Sequence, residues 1–222
     1  MITCGVIYCA HTDRYIRMAA QSASSVREHA PDLPIHLFTD PAGRQKIEGH
    51  HHLFDKMIVL PEMHRRSKVD VMHQSEFERT LYLDADTWVV ADFRDMFQLL
   101  DRFDIALSHA AARNHPLTLA TWRKKLPPSF PQYSSGLILF KGVEGVLSLL
   151  RAWGPAFREA GFQKDQVTLR ELLWDSDLRI ATLPPEYHAR RKENIDLWRK
   201  RPRDAKLRII CHGRDAAKRM LR

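Results

Sequence analysis

Short apolar runs rich in β-branched and aromatic residues alternate along the chain with longer stretches whose apolar positions recur every three to four residues. Runs of the first kind fit strands, and stretches of the second fit amphipathic helices. Thr3–Cys9 reads as a first strand, followed by a helix over Tyr15–Glu28 and a second strand at Pro34–Asp40. Lys56–Pro61 reads as a third. A helix spanning roughly Arg65–Ser75 leads into a fourth strand, Arg79–Asp84, and Asp104–Ser108 and Ser135–Phe140 are further strands. Two helices, near Val143–Ala160 and Asp165–Trp174, precede closing strands at Leu178–Pro184 and Lys206–Gly213. This alternation predicts an α/β protein with a largely parallel central sheet flanked by helices.

Three of the apolar strands end in polar residues: Cys9-Ala10-His11-Thr12-Asp13, Thr39-Asp40 and Asp84-Ala85-Asp86. Open α/β sheets bind their ligands beyond the carboxyl ends of the parallel strands, so the site is expected at that edge. No repeat, low-complexity tract or Pro/Gly-rich linker divides the 222 residues, which predicts a single domain over 1–222.

With 44% hydrophobic and 28% charged residues, disorder and collagen-like structure are excluded. No run approaches the roughly 18 apolar residues of a membrane span. The start, Met1 to Asp13, has no basic residue before its apolar run and does not read as a signal peptide. Three cysteines, Cys4, Cys9 and Cys211, form no CxxC pair, and a reducing, cytoplasmic setting is the expectation.

The net charge of +8 is concentrated in residues 187–222, which hold 13 Lys/Arg against 4 Asp/Glu and leave 22 basic against 23 acidic residues upstream. Such a segment is either a solvated charged face or a contact for an anionic membrane surface or phosphorylated small molecules. Nucleic acid is not the expected partner. Tyr187 and Trp198 are the only aromatics there, and no helix-turn-helix, zinc or RNP pattern is present.

The most informative segment is Arg79–Val90, RTLYLDADTWVV, in which a hydrophobic strand runs into Asp84-Ala85-Asp86 and back into Trp88-Val89-Val90. Setting two carboxylates between apolar runs is costly without a compensating cation or donors. Residues i and i+2 of an extended segment point the same way, so both can face one hard divalent ion. The alternative is a pair of acids capping a turn. Two enzyme classes use such a pair: D-x-D-x-[TV] phosphohydrolases, whose first Asp is a nucleophile, and nucleotide-sugar glycosyltransferases. Here Trp88 occupies the slot the phosphohydrolase pattern reserves for Thr or Val, and the motif lies some eighty residues into the chain.

YLDADTWVV resembles the YLDADTLV signature of family-eight-like glycosyltransferases, the glycogenin and lipopolysaccharide galactosyltransferase relatives. The opening from Val6 to Asp40 is similar to their first strand, nucleotide loop, first helix and second strand. SSGLILFK (Ser134–Lys141), DQVTL (Asp165–Leu169), LPPEYHARR (Leu183–Arg191) and IICHGRDAAK (Ile209–Lys218) resemble further family motifs, in family order and over nearly the whole chain. The resemblance implies a GT-A (Rossmann-like) fold and a metal-dependent transferase that moves a hexose from a UDP-sugar to a glycan, lipid-linked or protein acceptor. It implies that Asp84, Asp86 and His212 hold Mn2+ or Mg2+. Ala10, Asp13, Tyr15, Lys68, Ala85, Ser135, Gly136 and Lys218 would bind the nucleotide-sugar, with Tyr15 stacked on the uracil. Asp165 and Gln166 would flank the anomeric carbon.

Family-eight relatives retain anomeric configuration. A retaining scheme would place Gln166 near the anomeric centre, and an inverting one would make Asp165 the general base. The basic segment 187–222 would help close the donor site. The chain departs from the pattern at Ser134 and His188, where the family has Asn, at Gly213, and at Arg219-Met220, where it has Pro-Trp. A phosphohydrolase and a non-catalytic nucleotide-sugar binding protein are the competing readings.

Other chemistry-bearing residues read as structural. His50-His51-His52 point in divergent directions and fit a surface loop. Asp175-Ser176-Asp177 fits a turn after a helix, and Cys4 and Cys9 fit small core hydrophobes. Trp88 and Trp174 fit core packing, whereas Trp122, in a Pro-bounded segment, is a candidate acceptor contact together with His188.

Overall fold

Strand β1 (Cys4–Cys9) sits where its alternating side chains are buried on both sides, and it recruits neighbours on each edge. In the computed structural model, which describes residues 2–47, 49–110, 120–190, 207–211 and 214–221, the elements follow the predicted alternation. They are β1, α1 (Asp13–His29), β2 (Ile35–Thr39), α2 (Pro41–Lys46), β3 (Lys56–Val59), α3 (Lys68–Val71) and β4 (Arg79–Leu83), then β5 (Trp88–Val89) and β6 (Ile105–His109). There follow β7 (Tyr133–Lys141), α4 (Glu144–Ala160), α5 (Gln166–Trp174), β8 (Ile180–Thr182), β9 (Ile209–Ile210) and α6 (Arg214–Leu221). The central sheet has seven strands in the order β3-β2-β1-β4-β7-β6-β8. Among them β7 alone runs against its neighbours, antiparallel to both β4 and β6.

Strand alternation divides the core into two layers. Val6, Tyr8, Leu37, Leu81 and Leu83 face one way and pack under α1, whose buried stripe is Ile16, Ala19, Ala23 and Val26. Ile7, Phe38, Tyr82, Ile138 and Phe140 face the other way, against Val146, Leu150 and Trp153 of α4 and Leu169 of α5. Small residues on α1 let it approach closely. Ser25 Oγ accepts the Val89 amide at 2.9 Å, and Ser22 Oγ lies 2.8 Å from the Tyr8 hydroxyl and 2.7 Å from Thr87 Oγ1. This buried hydroxyl chain ties β1 and α1 to the turn that follows β4.

Several boundaries differ from the sequence expectation, for identifiable reasons. The helix expected over Arg65–Ser75 is shortened to α3 and a single 3-10 turn, Met72–Gln74, because Ser67 closes a tight turn with His64 before it. Among the described residues the last strand covers Ile209–Ile210 and pairs with β5 rather than joining the central sheet; Ile209, Ile210 and Val89 are all buried there. Helix α2 was not expected, although its signals were in the sequence: Asp40 caps the Gly43 amide at 2.7 Å and Pro41 opens the helix. Trp174 is 44% exposed, a correction to its expected place in the core, because it ends α5, where Phe130 meets its ring edge-on. The histidine run is exposed around a 3-10 turn, and Asp175 and Ser176 cap the end of α5 as expected. No described helix is long and apolar enough to cross a membrane.

Gly5 in β1 is a close-approach position, since a Cβ there would come within 2.3 Å of the buried Phe77 ring, which is itself stacked on His36. Gly5→Ala should cost about 1–3 kcal/mol of stability by overpacking. The expected result is a lower urea midpoint at an unchanged m-value, and an unchanged midpoint would mean the ring yields freely.

Candidate functional site

The parallel strands β1 and β4 deliver Ala10 and Asp84 to the same sheet edge because they pair in register, Val6 with Leu81 and Ile7 with Tyr82. Strand β7 then lies beside β4 with Leu83 opposite Leu137, so that the Asp84 amide donates to the Gly136 carbonyl at 2.8 Å. A Cβ on Gly136 would fall 2.8 Å from Asp84 Oδ2. Any other residue here would push the Asp84 carboxylate from its place.

Asp84 is the hub. The Tyr82 hydroxyl donates to its Oδ1 at 2.7 Å, and the Lys68 ammonium donates to Oδ1 at 2.9 Å and Oδ2 at 3.2 Å. Lys68 also donates to the Ser135 carbonyl at 3.0 Å and lies 3.6 Å from Asp165 Oδ2. Burial alone would push the lysine down, but the carboxylates of Asp84 and Asp165 outweigh it and hold its pKa above the usual value. Tyr82 is raised, by burial first and then by Asp84, and stays a proton donor.

Asp165 is 1% exposed just before α5. The Ser135 hydroxyl donates to its Oδ1 at 2.8 Å, while its backbone carbonyl accepts from Trp153 Nε1 and Thr168 Oγ1, each at 3.0 Å. Its Oδ2 has no hydrogen-bond partner and faces Lys68 and Arg66, both at 3.6 Å. Asp86 is half-buried, and its carboxyl is raised by burial and then by the charge on Asp84.

Two cavities meet along this hub. One, of about 260 Å³, is lined by Ala10, Tyr15, His64, Lys68, Asp84, Ala85 and Asp86 among others. The other, of about 280 Å³, is lined by Ala110, Gln132, Ser135, Gly136, Lys164, Asp165 and Gln166. Arg66, Lys68, Asp84 and Arg190 border both.

Ten of the residues singled out in the sequence therefore converge: Ala10, Tyr15, Lys68, Asp84, Ala85 and Asp86 on the first cavity, and Ser135, Gly136, Asp165 and Gln166 on the second. Others lie elsewhere. Asp13 is exposed and pairs with Lys46. Lys218 is exposed on α6 and faces a separate cavity beyond α1. His188 is buried behind β7, its Nε2 3.4 Å from Ser134 Oγ. Trp122 lines neither cavity. Its amide and those of Arg123 and Lys124 donate to the Glu171 carboxylate, and its ring carries the Arg123 guanidinium at 3.9 Å. His212 lies outside the described residues.

Arg66, Arg190, Tyr82 and His64 were not anticipated at the site. The run His64-Arg65-Arg66-Ser67-Lys68 held a readable signal, a basic cluster just ahead of a helix. Its aim depends on His64 Nδ1 accepting the Arg66 amide at 3.2 Å. Cys9 also borders the first cavity, with its thiol pushed far up by burial, so it presents no thiolate there.

Among the described residues no group of three His, Cys, Asp or Glu is placed to hold a metal ion. Asp84 and Asp86 do fit two positions of a hard divalent cation that takes its remaining oxygens from phosphates and water. Burial first, and then the neighbouring Asp84 charge, raise Asp86, and such an ion would stabilise its charged form.

No protein-family model matches the chain, and no curated protein matches it in sequence. Solved structures do. Galactosyltransferase LgtC, in complex with donor and acceptor sugar analogs, matches with a TM-score of 0.61 at 14% identity over 94% of this chain and 86% of LgtC. Mouse xyloside xylosyltransferase 1 in its apo form matches with a TM-score of 0.62 at 15% identity over 96% and 98% of the two chains. Glycosyltransferase GlyE of Streptococcus pneumoniae TIGR4 matches with a TM-score of 0.64 at 16% identity over 95% of this chain and 54% of GlyE. The chain has the GT-A glycosyltransferase fold.

Two stability measurements follow from the hub. Lys68→Met leaves Asp84 and Asp165 without their shared cation and should destabilise by about 3–5 kcal/mol, read as a lower urea midpoint. Asp86→Asn should raise the melting temperature of metal-free protein at neutral pH. Because the folded-state pKa of Asp86 is raised, the charged form is the costly one. The gain should therefore shrink as pH falls through the carboxylate range, where the native Asp86 becomes neutral as well.

Proposed function

We propose that the chain is a glycosyltransferase that transfers a hexose from a UDP-sugar with the help of Mn2+ or Mg2+. The observation that carries this reading is the pair of cavities meeting at Asp84, Lys68 and Arg66, at the carboxyl edge of a GT-A sheet. The first cavity suits a nucleotide. Tyr15 is 40% exposed at its mouth and offers a stacking face for the base, a contact worth about 1–3 kcal/mol. Lys68, Arg66 and Arg190 bring positive charge to the seam between the cavities, where a diphosphate would lie. The second cavity suits the sugar, with the Gln166 side chain and the Asp165 carboxylate on its wall.

Asp84 and Asp86 would hold the divalent cation, which when bound supplies Lewis-acid neutralisation of the leaving diphosphate. The rest is the chain's own work. Tyr82 and Lys68 orient the Asp84 carboxylate, and Ser135 and the two cations orient Asp165. With one oxygen on Ser135 and the other facing Lys68 and Arg66, Asp165 is placed to position cations rather than to take a proton. That arrangement favours the retaining scheme, with Gln166 beside the anomeric carbon. An LgtC structure described as an active-site glutamine-to-glutamate mutant is among the matches, at 13% identity, which fits a working glutamine in this fold.

UDP with Mn2+ should raise the melting temperature, with about 2.7 kcal/mol of stabilisation at 100 times its Kd, and a chelator should remove the shift. Asp86→Ala should abolish both the shift and sugar transfer without lowering the urea midpoint. Retained UDP-sugar turnover in that variant would refute the reading, and turnover of a generic phosphate ester by the native chain would favour the phosphohydrolase.

A further inference from the structure

A larger cavity lies outside this site. It measures about 830 Å³ and is bounded by α1, by β5, by the 3-10 turn His51–Leu53 and by α6. That is within the roughly 300–1,000 Å³ of small-molecule sites. It shares no lining residue with the two cavities at Asp84. Helix α1 separates them: Tyr15 and Arg17, two residues apart, are turned by about 200° on a helix, so Tyr15 serves the nucleotide cavity and Arg17 this one.

Its lining mixes cationic, polar and apolar residues. Arg17, Arg214 and Lys218 converge on it with three histidines, against the single acid Glu28. Among the described residues none of these three cations has a carboxylate within 4.0 Å. Cations that outnumber the acids around them repel one another, and a bound anion relieves that repulsion. The remaining wall carries Trp88, half-buried with Arg214 6.0 Å from its ring, and Leu53. An indole beside arginines pairs a flat apolar surface for a sugar ring with planar donors for phosphate oxygens.

We propose that this cavity binds a phosphorylated saccharide, independently of the donor cleft. The ligand is a sugar bearing a phosphate ester, with the ester on Arg17 and Arg214 and the ring against Trp88. The site is a second address for anionic carbohydrate on the same chain, and it goes beyond the transfer reaction proposed above.

Isothermal titration of the full chain with glucose 6-phosphate tests this, beside glucose, inorganic phosphate and vesicles of phosphatidylcholine with and without phosphatidylserine. The expected result is saturable binding of glucose 6-phosphate that weakens about tenfold or more in Arg17→Gln and in Arg214→Gln. It should persist in Asp86→Asn and in the presence of UDP with Mn2+, which separates this site from the donor cleft whatever the fate of the transferase reading. Any of four results would overturn the proposal: no binding by the native chain, no loss in either arginine variant, displacement by UDP, or inorganic phosphate binding as tightly as the sugar ester. Arginine-dependent binding to phosphatidylserine vesicles without binding of glucose 6-phosphate would likewise overturn it, in favour of a lipid headgroup.

Discussion

Everything at the sheet edge depends on one buried ammonium. Lys68 is 7% exposed and would be a liability by itself, since burying a charge without partners is prohibitive. It survives because three elements meet on it: Asp84 from the end of β4, the Ser135 carbonyl from β7 and Asp165 from the start of α5. The lysine thereby sets the spacing between the nucleotide-side and sugar-side cavities. Asp86, two residues beyond Asp84, keeps a raised carboxyl through burial first and then the charge on Asp84.

The sheet topology makes that meeting possible. Six strands run one way and deliver their loops to the carboxyl edge, whereas β7 runs back along β4 and brings backbone, rather than a loop, to Asp84. A reversed strand carries its amides and carbonyls into the site at fixed positions, so Gly136 and Ser135 act largely through main chain and a hydroxyl. The two faces of α1 then part the surface into two ligand-sized regions of different character. One is a mixed-charge cleft with carboxylates at its centre, and the other is a cationic hollow with an aromatic wall.

Much of this was legible in the residues. Period-2 and period-3.6 patterns located the main strands and helices, and the polar strand ends Ala10, Asp40 and Asp84 marked the functional edge. Boundaries failed where a side chain closed a turn, as Ser67 does before α3, or where a partner strand was needed, as β5 is for Ile209–Ile210. Arg66 and Arg190 were missed because a basic residue in a loop looks the same in sequence whether it faces solvent or a cavity. Asp13 was placed by motif position and Trp122 by its Pro-bounded segment, but Asp13 pairs with Lys46, the Trp122 amide donates to the Glu171 carboxylate, and neither lines either cavity.

By itself the sequence determined the α/β class, the carboxylate pair and the edge where they stand, because hydrophobic periodicity and strand-end polarity are local properties. It also carried the candidates Lys68, Asp165 and Gln166, through motifs whose order survives without any knowledge of distance. Only the tertiary structure decided that Lys68 bridges Asp84 and Asp165, that Gly136 is there to let a carboxylate pass, and that Lys218 faces away toward Arg17. Those are contacts between residues tens of positions apart, and their geometry exists only once the two core layers have packed and set the register between strands.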